Sequence, residues 1–152
     1  MSPRIPFGLR RQRLGWALAL ALLGSGTGSS PAAAQQLPLG EIAAAVAGHW
    51  SNGNADARLM SESGVALYLL DQSQPAAGIR QARAALAALL GRSGRVRIAR
   101  VEELGGAPRR GFAELEWEVM EPGSPEGLRY VVFLGFVAGE PGWRIAEVRV
   151  LR

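Results

Sequence analysis

The sequence contains a single histidine, His49, and the residue after it is Trp50. Imidazole exchanges protons near neutral pH, so a histidine beside an aromatic side chain could act as a general base on a bound molecule. A base needs a second group to orient it, and the sequence gives no evident partner. The alternative is a partly buried histidine that fills a helix end and bonds a nearby carbonyl group. We therefore assign no catalytic residue.

Three tryptophans offer a second kind of site. Trp50, Trp117 and Trp143 could form an aromatic cage around an apolar ligand, or they could simply be the core of a small domain. We take His49, Trp50 and Trp117 as the candidate ligand-binding residues.

Metal and cofactor chemistry has little support in the composition. The sequence has no cysteine and one histidine, so it cannot assemble a zinc site of the usual nitrogen and sulfur ligands within one chain, and it cannot form a disulfide. The glycine-rich segment 91–95 follows a predicted helix, whereas a phosphate loop precedes one. We expect no metal and no cofactor.

The first 34 residues have the pattern of a secretory signal peptide. Residues 1–13 contain four arginines and no acid, residues 14–23 are almost wholly apolar, and Ala32, Ala33 and Ala34 precede Gln35. An apolar run of about ten residues is too short for a bilayer, which requires about twenty. We expect export by the Sec route, cleavage after Ala34, a secreted or periplasmic protein and no membrane association after cleavage.

Removal of this segment changes the charge. Four of the 17 arginines precede Gln35, which leaves 13 arginines against 13 acids in the remainder, with no lysine. A near-neutral domain without a basic run and interleaved aromatic residues is not expected to bind nucleic acid.

The rest of the sequence changes from helical to strand periodicity. After a short tail, residues 35–38, a stripe formed by Leu39, Ile42, Val46 and Trp50 predicts a helix. A short second helix at 55–60 follows, with Asn54 as its expected N-cap. A strand at 65–70, a polar loop at 71–78 and a helix at 79–90 come next. Segments 95–104, 112–121, 128–138 and 143–151 then read as an antiparallel meander with connections rich in glycine and proline. This order predicts one α+β domain over residues 39–152.

The strand patterns predict which side of the sheet is buried. Segment 112–121 carries Ala113, Leu115, Trp117 and Val119 on the face expected to meet the helices, and three glutamates on the other face. Arg97 and Arg100 are placed to form cross-strand ion pairs with those glutamates. Segment 128–138 is apolar on both faces, so both should be covered.

Three segments resemble one known superfamily: residues 46–57 with Gly53–Asn54, the strand 64–69, and the final strand 142–150 with Trp143–Arg144–Ile145. They are similar to the nuclear transport factor 2-like superfamily, which includes SnoaL-like polyketide cyclases and ketosteroid isomerases. The resemblance implies a cone-shaped curved antiparallel sheet packed on about three helices, with a pocket inside. Isomerases of this fold use an Asp base with a Tyr and a protonated Asp. The core-facing positions of segment 112–121 contain no carboxylate.

The resemblance leaves three functions open. The first is a non-enzymatic module that binds a small apolar molecule or a protein partner. The second is a cyclase-, isomerase- or hydrolase-like enzyme that uses His49 in the cone pocket. The third is a structural or dimerisation domain with a filled cone. Relatives often pair through the outer sheet face, so a homodimer through that face is the expected cover for segment 128–138.

Overall fold

A computed structural model describes residues 36–91, 94–120, 123 and 126–152. The predicted signal peptide, residues 1–34, lies outside the described residues. No helix in the described part of the chain is both long and apolar enough to cross a membrane.

The described residues form two helices, one short 3-10 turn and six strands, which confirms the α+β class. In chain order these are α1 (Leu39–Ser51), the turn η1 (Ala57–Leu59), β1 (Val65–Leu69), β2 (Gln72–Ala77), α2 (Ile79–Leu90), β3 (Gly94–Leu104), β4 (Arg110–Val119), β5 (Leu128–Gly139) and β6 (Gly142–Leu151).

The strands form one sheet in the order β2-β1-β6-β5-β4-β3. The meander from β3 to β6 is antiparallel, as the sequence predicts. Strand β1 pairs with β6 in parallel and with β2 in antiparallel orientation, so the sheet is mixed. Strands β1 and β6 are therefore neighbours in the sheet, although β2, α2 and strands β3 to β5 separate them in the sequence.

Two local expectations were wrong. The second helix shortens to η1, whose cap is Asp56 and not Asn54, because the Asp56 carboxylate accepts the backbone N–H of Arg58. Met60 leaves the helical conformation and forms a parallel bridge with Ile145. The polar loop predicted at 71–78 is instead the edge strand β2. Its Pro75 is tolerated because an edge strand can leave one side of its backbone unpaired.

The core lies between the inner face of the sheet and the two helices. The predicted stripe of α1 is buried, as are Ala82, Leu86 and Leu90 of α2. Gly53 ends α1 at φ +69, a left-handed conformation that glycine adopts without steric cost. Gly111 leaves room for Leu39, which a β-carbon at this position would overlap.

The two faces of β4 and β5 are as predicted. Ala113, Leu115, Trp117 and Val119 are each at most 1% exposed, while the three glutamates lie on the outer face. Arg97 donates to Glu116 at 2.8 Å, which confirms one cross-strand ion pair. Arg100 bonds Glu102 on its own strand, although the register pairs Arg100 with Glu114 of β4.

Candidate functional site

The inside of the cone is filled by side chains. Trp50 and Trp143 are each 2% exposed, and Trp117 is 1% exposed. The void between α1, α2 and the sheet, bordered by Val46, Trp50 and Leu86, measures only about 10 Å³. A space of that size holds one water molecule at most. This void is therefore too small for an organic ligand.

His49 lies at the rim of this void, and it has an acidic neighbour. His49 lies in the last turn of α1. The chain then reverses at Gly53, which places Asp56 close to the imidazole of His49. The distance from His49 Nε2 to Asp56 Oδ2 is 3.7 Å, within ion-pair range but too long for a hydrogen bond. The side chains of His49 and Asp56 are 37% and 13% exposed. The structure thus gives His49 an acidic neighbour that the sequence did not reveal.

The Asp56 carboxylate is held mainly by Arg58. The guanidinium donates Nη2 to Oδ2 at 2.8 Å and Nε to Oδ1 at 3.1 Å, and the Arg58 backbone N–H adds a bond of 2.9 Å. Hydrogen bonds from the Arg58 side chain and backbone lower the pKa of Asp56 from 3.8 to about 2, with a smaller contribution from the charge of His49. Asp56 is therefore an anion throughout the physiological pH range.

His49, Asp56 and Arg58 border an open hollow at the end of the molecule, which we call the mouth depression. It measures about 400 Å³ and lies between α1, η1 and the turn from β5 to β6. The other lining residues are Leu37, Ile42, Ala45, Leu59, Pro141, Gly142, Trp143 and Arg144. This volume falls within the range of about 300–1,000 Å³ typical of small-molecule sites.

Trp117 borders a different hollow from His49 and Trp50. Its ring contacts Tyr130, with centroids 5.1 Å apart, and it lines a separate cavity of about 150 Å³ bordered by Arg95, Arg97 and Arg129. The indole Nε1 is buried and has no hydrogen-bond partner among the described residues. The three proposed ligand-binding residues thus border two different cavities.

The outer face of the sheet carries the largest of these hollows. We call it the outer trough; it measures about 470 Å³ and crosses β4, β5 and β6. Its floor includes Phe112, Phe133 and Val137. Gly135, which pairs with Phe112 and Glu147 on the two neighbouring strands, adds no side chain, and the β-carbon of Glu147 approaches it closely. The apolar outer side of β5 expected from the sequence is therefore present and only partly covered.

Comparison with known proteins gives structural matches only. No family model matches the sequence, and no curated protein matches it. The structure resembles a DUF4783 family protein of Bacteroides ovatus (15% identity, 76% of this chain and 94% of that chain, TM-score 0.53). It also resembles a hypothetical protein with a ketosteroid isomerase-like fold from Catenulispora acidiphila, solved with trimethylamine (16% identity, 74% and 85%, TM-score 0.53). The epoxide hydrolase/cyclase-like enzyme SalBIII is a third match (15% identity, 74% and 88%, TM-score 0.54).

These matches show that the chain has the nuclear transport factor 2-like cone fold. Identities of 14–17% establish the fold and nothing about chemistry. Proteins with this architecture include an enzyme of pyran ring formation and proteins without known function.

Proposed function

We propose that this protein is an exported, non-catalytic interaction module whose outer sheet face binds a second copy of the same chain. The observation that carries the proposal is the contrast between the two faces of the sheet. The void bordered by Val46, Trp50 and Leu86 on the inner side measures about 10 Å³, whereas the outer trough offers about 470 Å³ with Phe112 and Phe133 in its floor. Exposed apolar side chains grouped on a sheet face are a common mark of a protein interface.

The charges around the trough favour a self-complementary contact. In the strand register, Phe133 of β5 stands between Glu114 of β4 and Arg149 of β6. Across the outer face, this row of three side chains is therefore an acid, an aromatic ring and a base, in the order Glu114, Phe133 and Arg149. Glu114 has no ion-pair partner in the described part of the chain, while Arg149 bonds Glu147 at 3.0 Å and lies over the Tyr68 ring.

The order of charges in this row favours one direction for the two-fold axis of a dimer. An axis that runs along β5 and passes over Phe133 places Glu114 of one protomer opposite Arg149 of its partner, and does so twice. An axis that runs across the strands places Glu114 opposite its own copy, which costs free energy through like-charge repulsion. We therefore propose the first arrangement, which also stacks the two Phe133 rings at the centre of an isologous interface.

A charge swap tests both the association and its geometry. Sedimentation velocity at micromolar concentration should show a dimer for the wild type. Glu114→Arg and Arg149→Glu should each raise the dissociation constant about tenfold or more, because each creates two like-charge contacts. The double variant should recover most of the loss. Glu41→Arg, on α1 and thus on the other side of the sheet, is the matched control and should associate like the wild type.

Three results would contradict the proposal. A wild type that stays monomeric over this range excludes the dimer. A double variant weaker than either single variant excludes the pairing of Glu114 with Arg149. Equal weakening by Glu41→Arg would mean that only net charge matters.

One observation favours a second candidate, an enzyme that uses His49 as a base. Asp56 lies 3.7 Å from the imidazole, at the edge of a hollow of substrate size. Against it, the Asp56 oxygens already accept three bonds from Arg58 side-chain nitrogens and a fourth from its backbone. A panel of esters, lactones and epoxides tests this candidate. It requires a turnover that His49→Gln and Asp56→Asn both abolish, and absence of any such turnover argues for the non-catalytic module.

A further inference from the structure

The mouth depression has an apolar floor. Leu37 is 55% exposed there, Ile42 and Leu59 project from α1 and η1, and Trp143 closes the base from β6. Apolar side chains that converge on one hollow favour the apolar body of a ligand. This site shares no lining residue with the trough on the outer sheet face.

Arg144 stands on the wall of the depression without a counter-ion. Its Nη1 donates to the backbone carbonyl of Trp143 at 3.0 Å, and no carboxylate in the described part of the chain pairs with it. A guanidinium carries five N–H donors, so several remain for a ligand. Half-buried beside an apolar floor, such a group is a strong and directional partner for an anion.

Asp56 is the one acidic residue that lines the mouth depression, and it does not cancel the preference of Arg144 for an anion. Asp56 is bonded through both of its oxygens by Arg58, which neutralises it locally. The ionised side chains of the lining are thus two arginines and one aspartate, a net positive charge. Residues 35–152 as a whole balance 13 arginines against 13 acids, so the excess is a local property of this hollow.

We propose that the mouth depression binds a small amphipathic organic anion. The apolar body lies against Leu37 and Leu59, above the largely buried Ile42 and Trp143, and one carboxylate or sulfonate group bonds Arg144. His49 on the rim can hydrogen-bond a further polar atom of the ligand. This inference is independent of the dimer, because the mouth depression and the outer trough share no lining residue.

Two fluorescent probes that differ by one charge test the class of ligand. Anilinonaphthalene sulfonate has an apolar body with a sulfonate, and N-phenyl-1-naphthylamine is the same body without it. We expect Arg144→Gln to weaken binding of the sulfonate by about fivefold to tenfold, the loss of one charge-assisted hydrogen-bonded contact. Binding of the neutral probe should change by less than about twofold, because the floor is intact.

A pair of neighbouring positions on α1 locates the site. Ala45 lines the depression, whereas Ala44 is exposed beside it and does not. Ala45→Glu places an anion in the hollow and should weaken sulfonate binding about tenfold, while the matched control Ala44→Glu should leave it unchanged. Both variants should sediment like the wild type, which separates this result from the fate of the proposed dimer.

The proposal is overturned if the sulfonate probe binds Arg144→Gln and Ala45→Glu as tightly as the wild type. That result would place the probe elsewhere, for example in the outer trough. Equal losses for the charged and neutral probes in Arg144→Gln would also overturn it, since the arginine would then support the shape of the floor and not an anion.

Discussion

The indole Nε1 of Trp117 lies 2.5 Å from the point where a β-carbon would stand on Gly94. The backbone oxygen of Glu118 lies 2.6 Å from the same point. In the register of β3 and β4, Val96 pairs with Trp117 and Gly94 with Val119, so the indole leans diagonally across the first residue of β3. Only a residue without a side chain permits this approach.

We therefore expect Gly94→Ala to destabilise the protein by about 1–3 kcal/mol through overpacking. Gly91→Ala is the matched control, because a β-carbon there meets backbone oxygens at ordinary distances of 3.5 and 3.6 Å. Gly91 also has right-handed helical angles, so the control should be neutral or slightly stabilising. Urea unfolding of the two variants measures the difference, and equal midpoints would refute the packing argument.

Trp117 and its neighbour Glu116 point to opposite faces of β4 and should differ sharply in their contribution to stability. Trp117→Ala removes a buried aromatic ring and should cost about 3–5 kcal/mol. Glu116→Ala removes half of an exposed ion pair with Arg97 and should cost less than about 1 kcal/mol. The reverse order of urea midpoints would mean that the assignment of the two faces is wrong.

Asp56 should make the stability depend on pH in the acid range. Its pKa is about 2 in the folded protein against 3.8 for the free group, so the folded state binds this proton less readily. The stabilisation is present above about pH 4 and is lost as the pH falls towards 2. Because Arg58 is largely exposed, we expect only about 1 kcal/mol at pH 7.

The variant Asp56→Asn keeps an oxygen to cap η1 but removes the charge. Its free energy of unfolding should fall below that of the wild type at pH 7, and the gap should close near pH 2. Arg58→Gln should show the same pH profile, since the pair loses its charge attraction in either case. A gap that stays constant with pH would assign the effect to the cap alone.

Two phenylalanines on β5 distinguish the buried face from the proposed interface. Phe136 is 2% exposed on the inner face, whereas Phe133 is half-buried in the outer trough. We expect Phe136→Glu to prevent folding, because it buries an unpaired charge. Phe133→Glu should give a folded monomer by circular dichroism and sedimentation. A folded Phe133→Glu that remains dimeric would place the contact elsewhere.

The export prediction has a direct chemical test. If the signal peptide is cleaved after Ala34, the mature protein begins at Gln35. N-terminal sequencing of periplasmic or extracellular material should read from that residue. Intact protein that begins with Met1 in the soluble cytoplasmic fraction would contradict the prediction and would restore the basic net charge of the full sequence.

Much of the fold could be predicted because its signals are local. The alternation around Trp117 identified the buried face of β4, and the stripe from Leu39 to Trp50 identified α1, since burial repeats with the period of the element. The polar segment around Pro75 gave no such signal. It became a strand because β1 offers it a ladder of hydrogen bonds, which outweighs the poor strand propensity of its residues.

The candidate sites could not be predicted from local sequence patterns to the same extent. His49 stood out as the only histidine, but its partner Asp56 is seven positions away, and only the turn at Gly53 brings the two together. Asn54, the expected cap, had the right residue type for the role that Asp56 fills. The row of Glu114, Phe133 and Arg149 depends on the register of three strands, which alternating patterns do not specify.

The sequence by itself determined the α+β class, the order of the meander and the inner face of the sheet, because the periodicity of apolar residues encodes which side of each element is buried. Only the tertiary structure decided that β1 joins β6, that the cone is filled, and that the hollows lie at the mouth and on the outer face. Those features depend on how side chains distant in sequence share one volume, and packing of that kind leaves no periodic trace in the sequence.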